Sequence, residues 1–534
     1  MLHNYLKKTV RFYLSGNRWW VPLVSGCLYS FALPPFNHET HWLLSLFPLL
    51  CFIILLPLLA IATQPSLKRA TIHLYLYGFA AALGQYHWLV FDKVEGLWLF
   101  VIAGLLLISI IIGFLYLAAG LLFRISIRFL PKSYILIFPA VWVVIDYCRT
   151  LGDLAFPWAF LGYAMTPILP LAQLASITGV WGLTFIIILS NMLIWEILRN
   201  IFHNFSYKKH LQFLITFTAA IVVICFGGWY RMYHYTRVYH PSQKIALLQP
   251  NIDQRHWSND MLDTAFTVTE SLILKSAENK PDIMILPESA LLCYITHRRI
   301  YQERLSTVVR RSRIPLIFGS LDWEQAPSGS YYDYYVYNTA FFIDTGAMDF
   351  TPYHKMRLVP FSEAIPFEGR FPILSRVNLG ETDFHRGNEQ TVFAISPDLK
   401  AAPFICYESI FPDFVRQRVR MGVNLMVNIT NDGWFGKSSG PYHHATMARM
   451  RSIENGVSLA RCANSGISLF VDPVGRVYGH SKLYERALLT RRIPTDTLPT
   501  LYTRFGDWFV DVCGIIIITA ILTVVLKRNR RLVS

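Results

Sequence analysis

Apolar stretches long enough to cross a bilayer recur through the first 230 residues of this chain, and one more stands alone near its end. A hydrocarbon core about 30 Å thick takes about 20 helical residues to span, and a backbone placed there must satisfy its own hydrogen bonds. Stretches near 19–34, 42–62, 70–91, 97–123, 133–150, 168–198, 211–230 and 508–526 fit that requirement. Composition agrees, since 53% hydrophobic and only 16% charged residues is too apolar for an ordinary soluble protein. The first stretch is short, broken by Gly26 and ended by Pro34-Pro35. No convincing small-x-small cleavage site precedes the next stretch, so a span is expected rather than a cleaved leader.

Charge sets the expected orientation. Lys7, Lys8 and Arg11 precede the first span, and Lys68 and Arg69 follow the second. Arg124, Arg128 and Lys132 follow the fourth, Arg199, Lys208 and Lys209 the sixth, and Lys527, Arg528, Arg530 and Arg531 the eighth. The alternate loops 35–41 and 92–96 hold only Lys93. By the positive-inside rule, eight spans with both termini cytoplasmic place 231–507 on the outer side, the periplasm of a Gram-negative cell. The three parts are then a membrane region 1–230, an outer domain 231–507, and a last span with a basic tail, 508–534. The net charge of +15 flanks apolar stretches, so it reads as membrane orientation and headgroup contact rather than nucleic-acid binding. Asp146 and Arg149 fall at the end of the fifth span. A charge at membrane depth is a functional candidate, and this close to the interface a local structural pair is equally compatible.

The outer region reads as one α/β domain. KIALLQPNI (244–252), DIMILPES (282–289), IPLIFGS (314–320), VYNTAFFID (336–344), PFICYES (403–409) and NLMVNITND (424–432) are short apolar runs bounded by turn residues, the pattern of buried strands. Helical stretches at 261–278 and 443–455 lie between some of them, which argues for sheet covered by helices. DPVG (472–475) reads as a turn between two late strands. Of eight cysteines, Cys27, Cys51, Cys148, Cys225 and Cys513 lie in or beside apolar segments, and Cys293, Cys406 and Cys462 in the polar region. No CxxC pair and no metal spacing occurs, so neither a disulfide framework nor a zinc site is expected. Adjacent His443 and His444 would point about 100° apart on a helix and make poor joint ligands.

Three polar residues stand at or just beyond strand-like runs: Glu288 after MILP, Lys355 in YHKMRLVPFSE (353–363), and Cys406 after PFI. Strand ends are where open α/β sheets place chemistry. A thiol needs a base, because the thiolate attacks, and a carboxylate can take that proton. The tetrahedral intermediate then needs a positive charge and N–H donors, which a lysine and the Tyr407 backbone can supply. Each residue alone has an ordinary reading: core thiol, cap acid, solvated lysine.

ILPES, YHKMRLVPFSE and CYES, in that order, resemble the Glu-Lys-Cys triad of the nitrilase (carbon-nitrogen hydrolase) superfamily. Together with the apolar spans, LLQPNIDQRHW (247–257), FPWAFLGYA (156–164) and NDGWFGKSSGPYHHATMARMRSIENG (431–456), they resemble its membrane-embedded branch, the apolipoprotein N-acyltransferases. PFSE at 360–363 departs from the family's PFGE by one small residue. The resemblance implies a nitrilase-like αββα sandwich on an eight-helix transmembrane bundle in the inner membrane, acting without cofactor or metal. It implies a ping-pong transfer: Cys406 takes the sn-1 acyl chain of a phospholipid such as phosphatidylethanolamine, then passes it to the α-amine of a diacylglyceryl-cysteine on an apolipoprotein. Glu288 would be the base and Lys355 the oxyanion partner. Glu363 and Glu408 would orient Lys355 or the amine, and Tyr407, Trp257 and Trp434 would pack or place substrate. The aromatic arms 329–337 and 431–436 would touch the membrane or pack as ordinary strand and loop. A monomer is expected, because spans on one side block the pairing common among nitrilase-like domains.

Two other readings are compatible with parts of the sequence. A membrane-anchored amidase would let water attack the thioester, but soluble members of that superfamily lack the spans. A transporter or receptor with an outer domain predicts polar residues at mid-depth in several spans; few are present, and the Glu288–Lys355–Cys406 match is left unexplained.

Overall fold

The computed structural model describes residues 19–33, 48–91, 98–202, 206, 208–253, 259–330, 332–346, 349–367 and 384–533. The first basic cluster, the loops 35–41 and 92–96, and Trp257 lie outside them. Among the described residues four helices are long and apolar enough to cross a membrane: α1 (Trp98–Phe129), α2 (Val180–Phe202), α3 (Lys208–Val238) and the 508–527 part of a last helix, Trp508–Val533. Shorter apolar helices occupy Trp20–Ala32, Pro48–Ala62, Tyr134–Cys148 and Leu169–Thr178, and a 20-residue helix runs over Leu67–Tyr86. Large apolar side chains stand exposed along the spanning helices, among them Phe114, Val223, Phe226 and Ile518. Such a surface suits lipid and would be a liability in water; this is a membrane protein.

The stretch 168–198 forms short helices over Leu169–Ala172 and Ala175–Thr178 before α2 begins. Gly179 makes the break. Its φ of +66° belongs to the left-handed region, and a Cβ there would sit 2.6 Å from the Tyr502 ring. Helix α3 runs on to Val238, past the expected end of the membrane region at 230.

Thirteen strands are described beyond it: β1 (Gln243–Gln249), β2 (Ile283–Ile285), β3 (Leu291–Tyr294), β4 (Leu316–Gln325), β5 (Tyr334–Ile343), β6 (Thr351–His354), β7 (Phe393–Ser396), β8 (Leu399–Ile405), β9 (Leu425–Thr430), β10 (Ser458–Ala463), β11 (Leu469–Val471), β12 (Val477–His480) and β13 (Ala487–Ile493). One sheet has the order β13-β1-β2-β4-β5-β6, with β3 paired to β4; the other runs β12-β11-β10-β9-β8-β7. Central pairs are parallel, with Ile245 opposite Ile283 and Ile405 opposite Ile429. Parallel strands covered on both faces read as continuous apolar runs, which is why these segments stood out in the sequence.

Ile245, Ile285, Ile317 and Phe342 of the first sheet pack directly on Ile405, Val427, Ile429 and Phe470 of the second. Each such side chain, once buried, contributes about 2 kcal/mol. The first sheet's other face carries Leu248, Met284 and Phe318 against helices α4 (Asn259–Ala277) and α5 (Arg299–Ser312). The second sheet's other face meets α6 (Pro412–Val419) and α7 (Gly440–Asn455), and there the core does not stop. One apolar cluster runs from Phe404, Met426, Met447 and Ile453 into Leu161, Trp181 and Ile187 of the membrane half.

Polar ties fix that junction. Glu454, fully buried on α7, accepts from the Val180 N–H at the start of α2 (3.0 Å) and pairs with Arg451 (3.0 Å). A carboxylate suits a helix N-terminus. Burial, against the pull of Arg451, raises its pKa to about 7 from 4.5. The folded protein therefore holds a proton that the unfolded chain releases, so this site's stability is full below pH 4.5 and is lost as pH rises to about 7. Relative to Glu454→Gln, the wild type is expected to lose about 3 kcal/mol across that window, read from unfolding in detergent at several pH values. A difference that stays constant with pH would contradict it.

Candidate active site

Each expected catalytic residue follows a strand. Glu288 comes shortly after β2, Lys355 directly after β6, and Cys406 directly after β8. Glu288 and Lys355 thus belong to one sheet and Cys406 to the other. Gly319 on β4 lets the Glu288 turn lie flat against its neighbour: a Cβ there would be 2.6 Å from the Glu288 Cα. Lys355 is held by its backbone, donating to Asn338 O and accepting from the Gly387 N–H, both at 2.9 Å.

Lys355 Nζ donates to Glu288 Oε1 at 3.3 Å and to Glu363 Oε1 at 2.7 Å, and all three side chains are buried or nearly so. Asn338 Nδ2 donates to Glu288 Oε1 at 2.8 Å and to Glu363 Oε1 at 3.3 Å. The Asn431 N–H donates to Glu288 Oε2 at 2.9 Å. Burial alone would depress the ammonium, yet the two carboxylates raise its pKa. At an effective dielectric of about 20, one such contact is worth about 5 kcal/mol, comparable to the several kcal/mol of burying an ion.

Cys406 has φ +47°, a left-handed conformation that costs a non-glycine residue about 1–3 kcal/mol and persists only where its surroundings enforce it. Its carbonyl accepts from Ser409 Oγ at 2.9 Å, with His444 Nε2 at 3.0 Å. Burial first, then the Glu288 charge, pushes the thiol's pKa up, while Lys355 pulls it down. The resting sulfur is a thiol that needs a base at the moment of attack.

Glu363 accepts from Lys355 Nζ and is itself fixed by the Val359 N–H at 2.9 Å. Glu408 has no contact with the ammonium and is held by other donors. It accepts from the Ile405 and Met356 N–H groups and Tyr353 Oη at 2.7 Å, and from the Arg357 N–H at 3.2 Å. It thus ties the Cys406 strand end to the segment after Lys355 through backbone, not through the ammonium. Tyr407 is buried, donates its hydroxyl to Ala155 O and stacks on Phe156. That loop is anchored by Arg149, which pairs with Asp146 at 3.0 Å and donates to Tyr86 Oη and Trp158 O at 2.7 Å. The charged pair at the span's end is therefore a local brace.

Trp434 is half-buried in the turn Asp432–Phe435, and Phe435 is the ring that joins Trp88 (4.7 Å) and Trp158 (6.0 Å). In the arm 329–337, Tyr334 is 52% exposed, while Tyr335 and Tyr337 stack on His385 and His354. Among the described residues no cluster could hold a metal ion. Sequence reasoning missed Asn338, Asp432, His444 and Arg461. The available signal was polar side chains inside strand-like or helical runs, where burial without a partner is costly.

Glu408→Ala would strand three backbone N–H groups and the Tyr353 hydroxyl, at about 1–3 kcal/mol for each group left unpaired. A fall of several degrees in melting temperature is expected, partly recovered in Glu408→Gln; an unchanged melting temperature would show that the tie is dispensable.

Residues 244–501 match the family model for carbon-nitrogen hydrolase, and residues 25–193 that for the apolipoprotein N-acyltransferase N-terminal domain. The apolipoprotein N-acyltransferase of Geobacter metallireducens is 33% identical, covering 71% of this chain and 72% of that one. The enzyme of that name from Rickettsia typhi is 31% identical over 81% and 85%, and that from Haemophilus influenzae 28% over 91% of each. Among solved structures, an amidase from Nesterenkonia sp. AN1 is 18% identical with a TM-score of 0.36, over 51% of this chain and 98% of that one. Identity at this level over most of both sequences places this chain in the apolipoprotein N-acyltransferase family.

Proposed function

We propose that the protein moves a fatty acyl chain from a phospholipid to the N-terminal amine of a diacylglyceryl-cysteine on an apolipoprotein, through a thioester on Cys406. One observation carries this reading: a thiol at a strained strand end, beside a buried Glu288–Lys355–Glu363 cluster and joined through Tyr407 to the membrane half.

In the first half-reaction Cys406 Sγ attacks the sn-1 ester carbon as Glu288 takes the thiol proton. Lys355 and the Tyr407 N–H face the developing oxyanion. Collapse breaks the ester C–O bond, and the lysophospholipid oxygen leaves with the proton from Glu288. In the second, the acceptor amine attacks the thioester and gives its proton to Glu288. The C–S bond breaks, and the thiolate recovers that proton. The aromatic wall of Trp88, Phe156, Trp158 and Phe435 keeps water from competing with the amine.

The wider assignment follows from the same residues. Basic clusters beside alternate apolar segments support eight spans, a cytoplasmic tail and an outer, periplasmic domain over 231–507 in the inner membrane. The four helices long and apolar enough to cross a membrane are compatible with that reading. Phosphatidylethanolamine-like donors and a monomeric state suit a site at the junction between sheet and membrane helices.

Incubating the purified protein with phospholipid is expected to add one fatty acyl mass to Cys406, and Cys406→Ala to remove it. Acyl transfer to a diacylated lipopeptide that persists in Cys406→Ala would refute the thioester route. Gly319→Ala, whose Cβ would meet the Pro287–Ser289 backbone at 2.6–2.7 Å and push it aside, is expected to slow acylation about 100-fold and to lower the melting temperature as well.

A further inference from the structure

His444 lies fully buried on α7, outside the Glu288–Lys355–Glu363 cluster. Its Nε2 faces the Cys406 carbonyl at 3.0 Å and Ser409 Oγ at 3.2 Å. A carbonyl oxygen can only accept, so the contact to Cys406 is a hydrogen bond donated by a protonated Nε2. Its Nδ1 faces Asp432 Oδ1 at 2.9 Å and Arg461 Nη2 at 3.1 Å. Asp432 is fully buried and pairs with Arg461 Nη2 at 2.6 Å, and Arg461 also donates to Asn428 Oδ1. Trp158 covers the imidazole at 5.7 Å. The ring is thus fixed on every side, with one donor aimed at the nucleophile's own peptide group.

The Cys406 carbonyl and the Tyr407 N–H belong to one planar trans peptide, so they point in opposite directions. Fixing the carbonyl toward α7 turns the N–H away from α7. We infer that His444 is a positioning residue: by holding the Cys406 carbonyl through Nε2–H, it aims the Tyr407 N–H as an oxyanion donor. A hydrogen bond to the carbonyl also polarises the peptide, which makes its N–H a stronger donor. The same turn couples the two halves of the site. Asp432 steadies His444, while Asn431 beside it donates its N–H to Glu288. Nucleophile peptide and base carboxylate are therefore positioned by consecutive residues.

This rests on the thioester reading above, and the test separates the two. In His444→Gln the amide nitrogen reaches the Nε2 position. In His444→Asn it stops near Nδ1, facing Asp432 and short of the Cys406 carbonyl. Three rates are measured on the full-length protein in detergent: Cys406 acylation by phospholipid, Cys406 alkylation by iodoacetamide, and acylation at varied donor concentration. Alkylation needs the thiolate but builds no oxyanion. His444→Gln is expected to acylate at least tenfold faster than His444→Asn. The Asn variant should fall about 100-fold or more below wild type, as for loss of one oxyanion donor. The loss should lie in the maximal rate and not in the donor concentration at half-maximum, with alkylation and melting temperature alike in both variants. Equal acylation by the two variants, or a matching loss of alkylation, would overturn the inference. A wild-type protein that forms no thioester would instead bring down the thioester reading on which it stands.

Discussion

One ammonium shared by two carboxylates in the seam between two sheets sets the terms for the rest of the two-sheet domain. Burial works against the Lys355 charge, and the Glu288 and Glu363 carboxylates beside it hold that charge in place. Because the base and lysine come from one sheet and the thiol from the other, the site exists only when the sheets are docked. Glu408 makes that docking specific by collecting donors from both sides. A buried carboxylate with four donors is satisfied, and it leaves little freedom in how the Cys406 and Lys355 strands meet.

Much of this was legible in the chain. The six apolar runs chosen as strands became β1, β2, β4, β5, β8 and β9, because strands buried on both faces leave an unbroken apolar signature, antiparallel β5 included. The helices at 261–278 and 443–455 and the turn at 472–475 also fall where expected. Glu288, Lys355 and Cys406 stand at strand ends, and Glu363 holds the lysine. What the sequence hid was long-range: nothing local says that His444 would meet the carbonyl of a residue 38 positions away, or that Asn338 would bridge two acids. The partners of Glu408 were hidden for the same reason, since three of them are backbone N–H groups and carry no side-chain signature. The interruption at Gly179 was hidden by apolar neighbours that suit a continuous span equally well.

Cys406 and its surroundings also divide the labour of catalysis. The face toward the first sheet carries charge, with Glu288, Lys355 and Glu363. The opposite face carries aromatic rings from the membrane half and the Asp432–His444–Arg461 group. In the proposed reaction, proton transfer and oxyanion stabilisation draw on the first, and exclusion of water and a fixed peptide plane on the second. An enzyme handing an acyl group to an amine has a use for such a wall, because it keeps water from the thioester.

The uninterrupted apolar packing between α7 and the membrane half has a bearing on how the molecule can be handled. The second sheet and its helices have no water-facing side of their own where Phe404, Met447 and Ile453 meet Leu161 and Trp181. A truncated polypeptide beginning near Gln243 would leave that greasy flank bare and would clump. The two-sheet unit is thus a half-built globule whose missing layer is supplied by the apolar helices packed against it.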